Sequence, residues 1–208
     1  MNKTQQQEEN YSEYQNMAFH PLNVLLILSL ISLGAIFVTL TASFIYTRFE
    51  KGLEPIKLPN LFVFNTLILL ASSATMVWAK RAYLQDNTKH YQWALLSTIL
   101  ISFLFMGLQF VAWQQLFASG SVINKDVSTS YLYVISGLHF AHVIGGLPFL
   151  GVFLWKAYKK MRAPVSVLVY FSDPEKRLKL RLLTIYWHFL DGLWIYLVLF
   201  FYINYLVQ

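Results

Sequence analysis

Five long apolar stretches separated by polar segments account for most of the chain. A run of about 20 apolar residues forms a helix about 30 Å long, which matches the hydrocarbon thickness of a bilayer. Because lipid cannot hydrogen-bond an open backbone, each stretch is expected to be an α-helix. The pattern predicts an all-α, polytopic membrane protein, a bundle of five transmembrane helices near residues 22–46, 59–84, 91–117, 131–158 and 174–206.

Local signals mark the start of the fifth span. The segment Ser172-Asp173-Pro174-Glu175 contains capping residues, a proline suited to the first helical position and an acidic residue for the first turn. The fifth helix is therefore predicted to begin near Pro174, with a basic extension at its cytoplasmic end.

The distribution of basic residues predicts the orientation. Residues 1–20 form a polar tail, and residues 21–208 form the membrane domain. If the tail is cytoplasmic, twelve of the sixteen Lys and Arg residues lie in the tail, the 80–90 loop and the 156–181 loop. Cytoplasmic loops carry such an excess, so the N-terminus is predicted inside and the C-terminus outside.

The composition excludes several classes of site. The chain has 57% hydrophobic residues, only 12% charged residues and no cysteine. Without cysteine there is no disulfide, zinc–thiolate site, iron–sulfur cluster or dinuclear copper centre. The net charge of +6 lies mostly in loops between spans, so membrane topology explains it better than nucleic-acid binding. No phosphate-binding Gly-rich motif or serine nucleophile elbow occurs, which argues against an ATP-driven pump or a serine hydrolase.

Four histidine and acidic side chains inside the apolar runs of the spans, near 22–46, 61–79, 93–117, 131–155 and 182–206, are candidates for a role. They are His139 and His142 on the fourth span and His188 and Asp191 on the fifth. A metal or haem site is one interpretation, but the helix rise places His142 and His188 about 10 Å apart in depth. That offset is too large for shared bonds of about 2 Å. Buried, hydrogen-bonded histidines and no metal are therefore predicted.

Asp191 is the only carboxylate within the apolar run of any span. A lone carboxylate in lipid is costly, so it is expected to face the bundle and to have a partner. The predicted partner is His142, His188 or a hydroxyl on a facing helix, and the expected role is to lock the fourth and fifth spans together. A proton-relay carboxylate is the alternative.

Three segments carry a resemblance to a known family. They are Asn65–Ala79 (NTLILLASSATMVWA), Gly137–Gly146 (GLHFAHVIGG) and Tyr186–Trp194 (YWHFLDGLW). In this order and on these spans they resemble motifs of subunit III of haem-copper respiratory oxidases, the cytochrome c oxidase subunit III family, in its five-helix bacterial form.

The resemblance implies a non-redox accessory subunit with no catalytic residue of its own. Its complex would be a proton-pumping terminal oxidase that reduces O2 to water with electrons from cytochrome c. Subunit I and the copper subunit II would be its partners and would hold the haem and copper, while this chain binds no cofactor and stabilises the catalytic subunit. The residues agree independently, because three histidines in the spans and no cysteine are too few to ligate two haems and copper. The implied location is the bacterial cytoplasmic membrane.

Bound phospholipid is also expected. Lys156 lies where the family often places a basic residue near lipid headgroups, and interfacial aromatics such as Trp78 and Trp187 suit the same region. Snorkelling of the lysine side chain would explain Lys156 equally well.

The chain departs from the family in two ways. The longest members have seven helices, and this chain resembles only the last five. The family also commonly carries a Glu in the helix matching 22–46, where this chain has none; Ser29 and Ser32 are the nearest polar residues. The same subunit in a quinol oxidase, a nitric-oxide-reductase accessory protein and a free-standing small transporter remain alternatives.

The orientation is tested by cysteine labelling, because the chain has no cysteine of its own. A membrane-impermeant thiol reagent is expected to modify Gln208→Cys from the outside. Labelling of this residue from the cytoplasmic side alone would contradict the predicted topology.

Overall fold

The computed structural model describes residues 20–53, 58–120, 127–161 and 164–207, which form α-helices and no strand. The helices are α1 (Pro21–Lys51), α2 (Asn60–Leu84), α3 (Thr88–Ala118), α4 (Val127–Lys160), α5 (Pro164–Ser172) and α6 (Pro174–Leu206). All except α5 are long and apolar enough to cross a membrane. The predicted all-α bundle with five spans is confirmed. Apart from His20, the predicted tail lies outside the described residues.

Capping side chains set where the helices begin. The Asp173 carboxylate accepts hydrogen bonds from the backbone N–H of Glu175 at 3.0 Å and of Lys176 at 3.4 Å. The hydrogen bond from the Lys176 ammonium lowers the pKa of Asp173, so the cap stays ionised. Helix α6 therefore begins at Pro174, as predicted. Asn87 caps α3 in the same way, accepting from His90 at 3.2 Å, and α3 starts before the predicted residue 91.

Helix α5 is absent from the predicted elements. It has nine residues, PVSVLVYFS, and lies between the basic end of α4 and the first turn of α6. Nine residues rise only about 14 Å, which is too short to span a bilayer. Its apolar residues also lack the helical spacing that would distinguish a buried face from an exposed one.

Helix α6 is the element around which the bundle packs. It contacts α1, α2 and α4, while α3 packs between α2 and α4. The two bulkiest fully buried side chains, Trp187 and Trp194, both belong to α6. The fifth span is thus the central helix of the described bundle.

Arg48 connects the last turn of α1 to the end of α6. Its guanidinium donates to the backbone oxygen of Asn204 at 2.5 Å, to the Asn204 side-chain oxygen at 3.1 Å and to the backbone oxygen of Val207 at 2.8 Å. The last carbonyls of a helix lack intrahelical donors and carry partial negative charge. A cation at this position therefore caps α6 and joins it to α1.

The buried apolar side chains form two clusters, one toward each end of the bundle. The cluster toward the C-terminal end of α6 includes Phe37, Phe44, Phe62, Phe105 and Trp194. The cluster toward its N-terminal end includes Met76, Tyr83, Tyr91, Leu150 and Trp187. Between the two clusters, polar side chains interrupt the apolar interior of α2, α3 and α6.

Gly146 permits the close approach of α4 to α6 and supplies a test of this packing. A Cβ atom at Gly146 would lie 2.9 Å from Tyr186 Cε1 and 3.0 Å from Trp187 Cζ3. Since both rings are held in the core, Gly146→Ala is expected to destabilise the bundle by about 1–3 kcal/mol, as overpacking does. Thermal unfolding of the purified chain in detergent measures the loss.

Gly145→Ala is the matched control, because a Cβ at Gly145 meets no atom within 4 Å. It should leave the melting temperature unchanged or raise it slightly. Equal loss in both variants would show that α4 does not approach α6 as described.

Candidate functional site

Hydroxyl and ionisable side chains collect at the middle of the bundle, where the two apolar clusters meet. We call this set the polar belt: Ser72, Ser73, Thr75, Thr98, Ser102, His188 and Asp191. Its members lie on α2, α3 and α6. In hydrocarbon a polar group must find its partner within the protein, so these side chains determine which helices meet and at what height.

Hydrogen bonds within the belt join α2 to its two neighbours. The hydroxyls of Thr75 and Thr98 lie 2.9 Å apart and connect α2 to α3. The Trp187 indole Nε1 donates to Ser72 Oγ at 3.0 Å and connects α6 to α2. Ser102 bonds to the Thr98 carbonyl of its own helix at 2.6 Å.

Ser73 is shared between the two ionisable groups of α6. Its hydroxyl lies 2.7 Å from His188 Nδ1 and is the polar group next to the Asp191 carboxyl, whose Oδ2 atom has no hydrogen-bond partner among the described residues. Asp191 is only 4% exposed. A hydroxyl both donates and accepts, so one serine serves the carboxyl and the imidazole together.

The arrangement corrects part of the expectation for Asp191. Of the three partners considered, the polar group beside its carboxyl is a hydroxyl on a facing helix, Ser73. Because Ser73 belongs to α2, the carboxyl joins the fifth span to the second. The expectation that Asp191 locks the fourth and fifth spans together is wrong.

Tyr186 and His142 provide a polar contact between α4 and α6. The Tyr186 hydroxyl donates to the His142 backbone oxygen at 2.9 Å. The His142 ring is half-buried, and its Nδ1 bonds to the Leu138 carbonyl of its own helix at 2.7 Å. His142 therefore contributes its backbone oxygen to the contact between these helices, whereas its imidazole bonds within α4.

His139 is fully buried but is held by aromatic rings. Its ring centroid lies 5.0 Å from that of Trp194 and 6.1 Å from that of Phe105. Neither ring nitrogen has a hydrogen-bond partner among the described residues. The expectation of a hydrogen-bonded histidine is wrong at this position, because an aromatic cage surrounds the imidazole. One turn from Phe105 on α3, Gln109 accepts a hydrogen bond from Asn65 of α2 at 2.9 Å.

The described residues contain no cluster of side chains that could hold a metal ion. No three His, Asp or Glu side chains among them come together as metal ligands would, and the chain has no cysteine. The His142 ring bonds to the Leu138 carbonyl of its own helix, α4, whereas the His188 ring bonds to Ser73 of α2. The two rings therefore do not share a partner. The geometry of the polar belt serves contacts between helices.

The three predicted lipid-contact residues divide by exposure. Lys156 is half-exposed near the end of α4, and Trp78 is 40% exposed near the end of α2. Trp187 is 2% exposed and donates its indole N–H inside the bundle, so its assignment to lipid is wrong. Helix α6 begins at Pro174, which places Trp187 about 20 Å along the helix and away from the membrane interface.

Sequence reasoning marks Ser72, Ser73 and Thr75 as part of a close helix contact on the second span, but it misses the partners of these hydroxyls and the contact made by Arg48. Ser72, Ser73 and Thr75 stand in an otherwise apolar span, and such residues are typical of tight contacts between transmembrane helices. That signal indicates a contact face without naming its partner. Arg48 is counted among the loop cations, and nothing local indicates that it reaches the end of α6.

A bundle of five helices long and apolar enough to cross a membrane, with polar residues directed at neighbouring helices, defines a multi-span membrane protein. The family model for cytochrome c oxidase subunit III matches residues 7–205. The chain belongs to this family, as the motif resemblance predicted.

Curated relatives carry the same name. The chain is 34% identical over 147 residues to "Cytochrome c oxidase subunit 3" of Gallus gallus, covering 71% of this chain and 50% of the relative. The proteins of that name in Emericella nidulans and Papio hamadryas are each 32% identical; the matches cover 71% and 70% of this chain and 49% of each relative. The chain therefore spans about half the length of the curated relatives it matches.

Substitutions at Asp191 test the structural role of the belt. Asp191→Asn keeps the shape of the side chain and its reach to Ser73, so the bundle is expected to stay folded. Asp191→Leu leaves the Ser73 hydroxyl with one partner fewer, at a cost of about 1–3 kcal/mol. Thermal unfolding of the purified variants separates the two outcomes. Loss of folding in Asp191→Asn to the same extent as in Asp191→Leu would contradict this account.

Ser73→Ala tests the shared hydroxyl directly. It removes the partner of both His188 and Asp191, so its expected cost exceeds that of an ordinary buried serine, about 1 kcal/mol. Ser29→Ala is the matched control, because Ser29 is exposed and bonds only to the Leu25 carbonyl of its own helix. Equal melting temperatures for the two variants would show that the shared hydroxyl contributes nothing.

Proposed function

We propose that this chain is a non-redox accessory subunit of a proton-pumping terminal oxidase that reduces O2 to water with electrons from cytochrome c. One observation carries the proposal beyond family membership. The motif segment Tyr186–Trp194 contacts both of the others, Asn65–Ala79 through Ser72 and Ser73, and Gly137–Gly146 through the His142 backbone oxygen. Residues used in this way support a structural role.

The proposed partners are the catalytic subunit I and the copper subunit II, within a multi-subunit complex or a larger supercomplex. Those subunits would hold the haem and copper, and this chain would bind neither. The ligand chemistry supports this division, since the chain lacks cysteine and its span histidines are engaged separately. No residue of this chain is assigned a catalytic role, and its contribution is to stabilise the catalytic subunit.

The first span supports the same division of roles. Residues 25–46 of α1 contain no Glu, so functions that the family associates with that carboxylate are not transferred to this chain. The polar residues Thr41 and Ser43 of α1 instead bond to Tyr196 at 2.8 Å and to Tyr131 at 2.7 Å. These contacts attach α1 to α6 and α4.

The proposed location is the cytoplasmic membrane of a bacterium, as a multi-pass protein. The excess of basic residues at one end of the bundle supports the proposed orientation in that membrane. The relatives named above are animal and fungal proteins, so they do not bear on it.

Purification from native membranes tests the proposal. A tagged full chain extracted in mild detergent is expected to carry haem-containing and copper-containing subunits that oxidise reduced cytochrome c. Oxidase from cells lacking the chain should lose activity faster during turnover than intact oxidase, because the catalytic subunit is less well supported.

Two outcomes would contradict the proposal. A chain that purifies without haem-containing partners is not an oxidase subunit. A complex that oxidises quinol, with no dinuclear copper centre, would assign the chain to a quinol oxidase. Ser29→Ala is a suitable assembly control, because it leaves every described contact between helices intact.

A further inference from the structure

Helix α5 has one face docked on the bundle and another face that is apolar and exposed. Tyr170 and Phe171 are buried, and the Tyr170 backbone oxygen accepts a hydrogen bond from the Tyr83 hydroxyl at 3.1 Å. The opposite face presents Leu168 and Val169, which are 66% and 61% exposed. Two aliphatic side chains this exposed are unfavourable in water, so this face requires an apolar environment.

The position of α5 places that face at the membrane surface. The helix follows the last residue of α4 at Lys160 and precedes the first residue of α6 at Pro174, both spanning helices. Tyr83 lies in the last turn of α2 and Tyr91 in the first turn of α3, and the rings of both pack near Phe171 at centroid distances of 5.0 and 6.3 Å. Helix α5 is therefore held where four spans reach the same side of the membrane.

Cations without acidic partners surround α5. Lys159, Lys160 and Arg177 are all exposed. The acidic residues at the start of α6 are already paired, Asp173 with Lys176 and Glu175 with Lys179, each at 2.6 Å. No other ion pair occurs in the described part of the chain. The surface beside α5 is thus strongly positive.

Two lysines near α5, Lys159 and Lys176, lie over aromatic rings. Lys159 Nζ is 4.8 Å from the ring centre of Trp155, and Lys176 Nζ is 4.7 Å from that of Tyr170. Trp155 is itself 59% exposed. Tryptophan with a neighbouring lysine is typical of the level at which hydrocarbon meets headgroups.

We propose that α5 lies in the headgroup region of the cytoplasmic leaflet and forms, with Lys159, Lys160 and Arg177, a binding surface for anionic phospholipid. Leu168 and Val169 enter the upper acyl region, and the three cations contact the phosphates above them. This combination of an apolar helix face and flanking cations is that of interfacial helices, whose affinity depends on anionic lipid. The proposal is independent of the oxidase role.

Anionic lipid fits this surface better than a protein partner does. A protein segment covering α5 would have to match exposed aliphatic residues and unpaired cations at one level. A lipid leaflet supplies acyl chains for the aliphatic residues and, directly above them, phosphates for the cations. Nucleic acid would satisfy the cations and leave Leu168 and Val169 in water.

The depth of α5 is measured in the full chain reconstituted in nanodiscs of phosphatidylcholine and phosphatidylglycerol. A spin label at Leu168→Cys is expected to be relaxed by oxygen and protected from a water-soluble nickel chelate. The control is Gln85→Cys, an exposed turn residue at the same end of the bundle, which should be open to the chelate. Chelate access at residue 168 equal to that at residue 85 overturns the proposal.

Lipid selectivity is measured with spin-labelled phosphatidylglycerol and phosphatidylcholine. The native chain should prefer phosphatidylglycerol, and the double variant Lys159→Gln, Lys160→Gln should lose about twofold to fivefold of that preference. Lys51→Gln, at the exposed opposite end of the bundle, is the charge control; it removes one cation instead of two and should lose much less than half of what the double variant loses. Equal losses per cation removed would show that α5 has no special role.

The depth measurement is repeated in the complex purified from native membranes. Oxygen access at residue 168 should persist there. Protection from both oxygen and the nickel chelate would mean that another protein covers α5, and the lipid proposal would then be wrong.

Discussion

Polar groups inside a bilayer must be satisfied by the protein itself, and the structure of this chain depends on how that requirement is met. The polar belt places hydroxyls of α2 opposite an indole N–H, an imidazole and a carboxyl of α6. Apolar side chains pack in many registers, since one aliphatic residue replaces another at little cost. A hydrogen bond, in contrast, forms only when its donor and acceptor lie at the same height along the two helices. The belt therefore fixes the relative height of α2 and α6, and the two apolar clusters pack on either side of it.

The need to pair polar groups inside the bundle also explains the central position of α6. It explains as well why α4 packs closely against α6 while α1 is joined to it by separate polar contacts. Trp187 must reach Ser72, so its large ring lies across the interior and leaves no room for a side chain at position 146 of α4. On the other side, α1 is attached by separated polar contacts, from Thr41 to Tyr196 and from Arg48 to the end of α6. A smaller share of the apolar stretch of α1 is buried inside the bundle than of any other spanning helix described here. The bundle is thus tightly packed around α2, α3 and α6 and more open along α1.

The sequence predicts local features such as helix starts well. It predicts poorly which helices lie beside one another. Asp173 and Pro174 act on their own helix, so the start of α6 is readable from four residues. The cost of a lone carboxylate in lipid correctly predicts that Asp191 is buried. That argument does not say which helix lies beside Asp191, and the polar group next to its carboxyl belongs to α2. The error for Trp187 has another origin, because measuring depth from the apolar run neglects the polar first turns of α6. Neither capping signals nor the length of apolar runs predicts helix α5, because this helix is short and apolar on both faces.

The contact made by Arg48 has a consequence for the order of events during synthesis. Arg48 leaves the ribosome with the first membrane helix, whereas its acceptors, Asn204 and the Val207 carbonyl, are translated more than 150 residues later. Until then the guanidinium has to remain hydrated at the membrane surface, since no other described group accepts from it. Closure of α1 against α6 is therefore a late step of assembly. A nascent chain halted before residue 204 would hold the Arg48 cation without its acceptors and α1 without its contact at the end of α6.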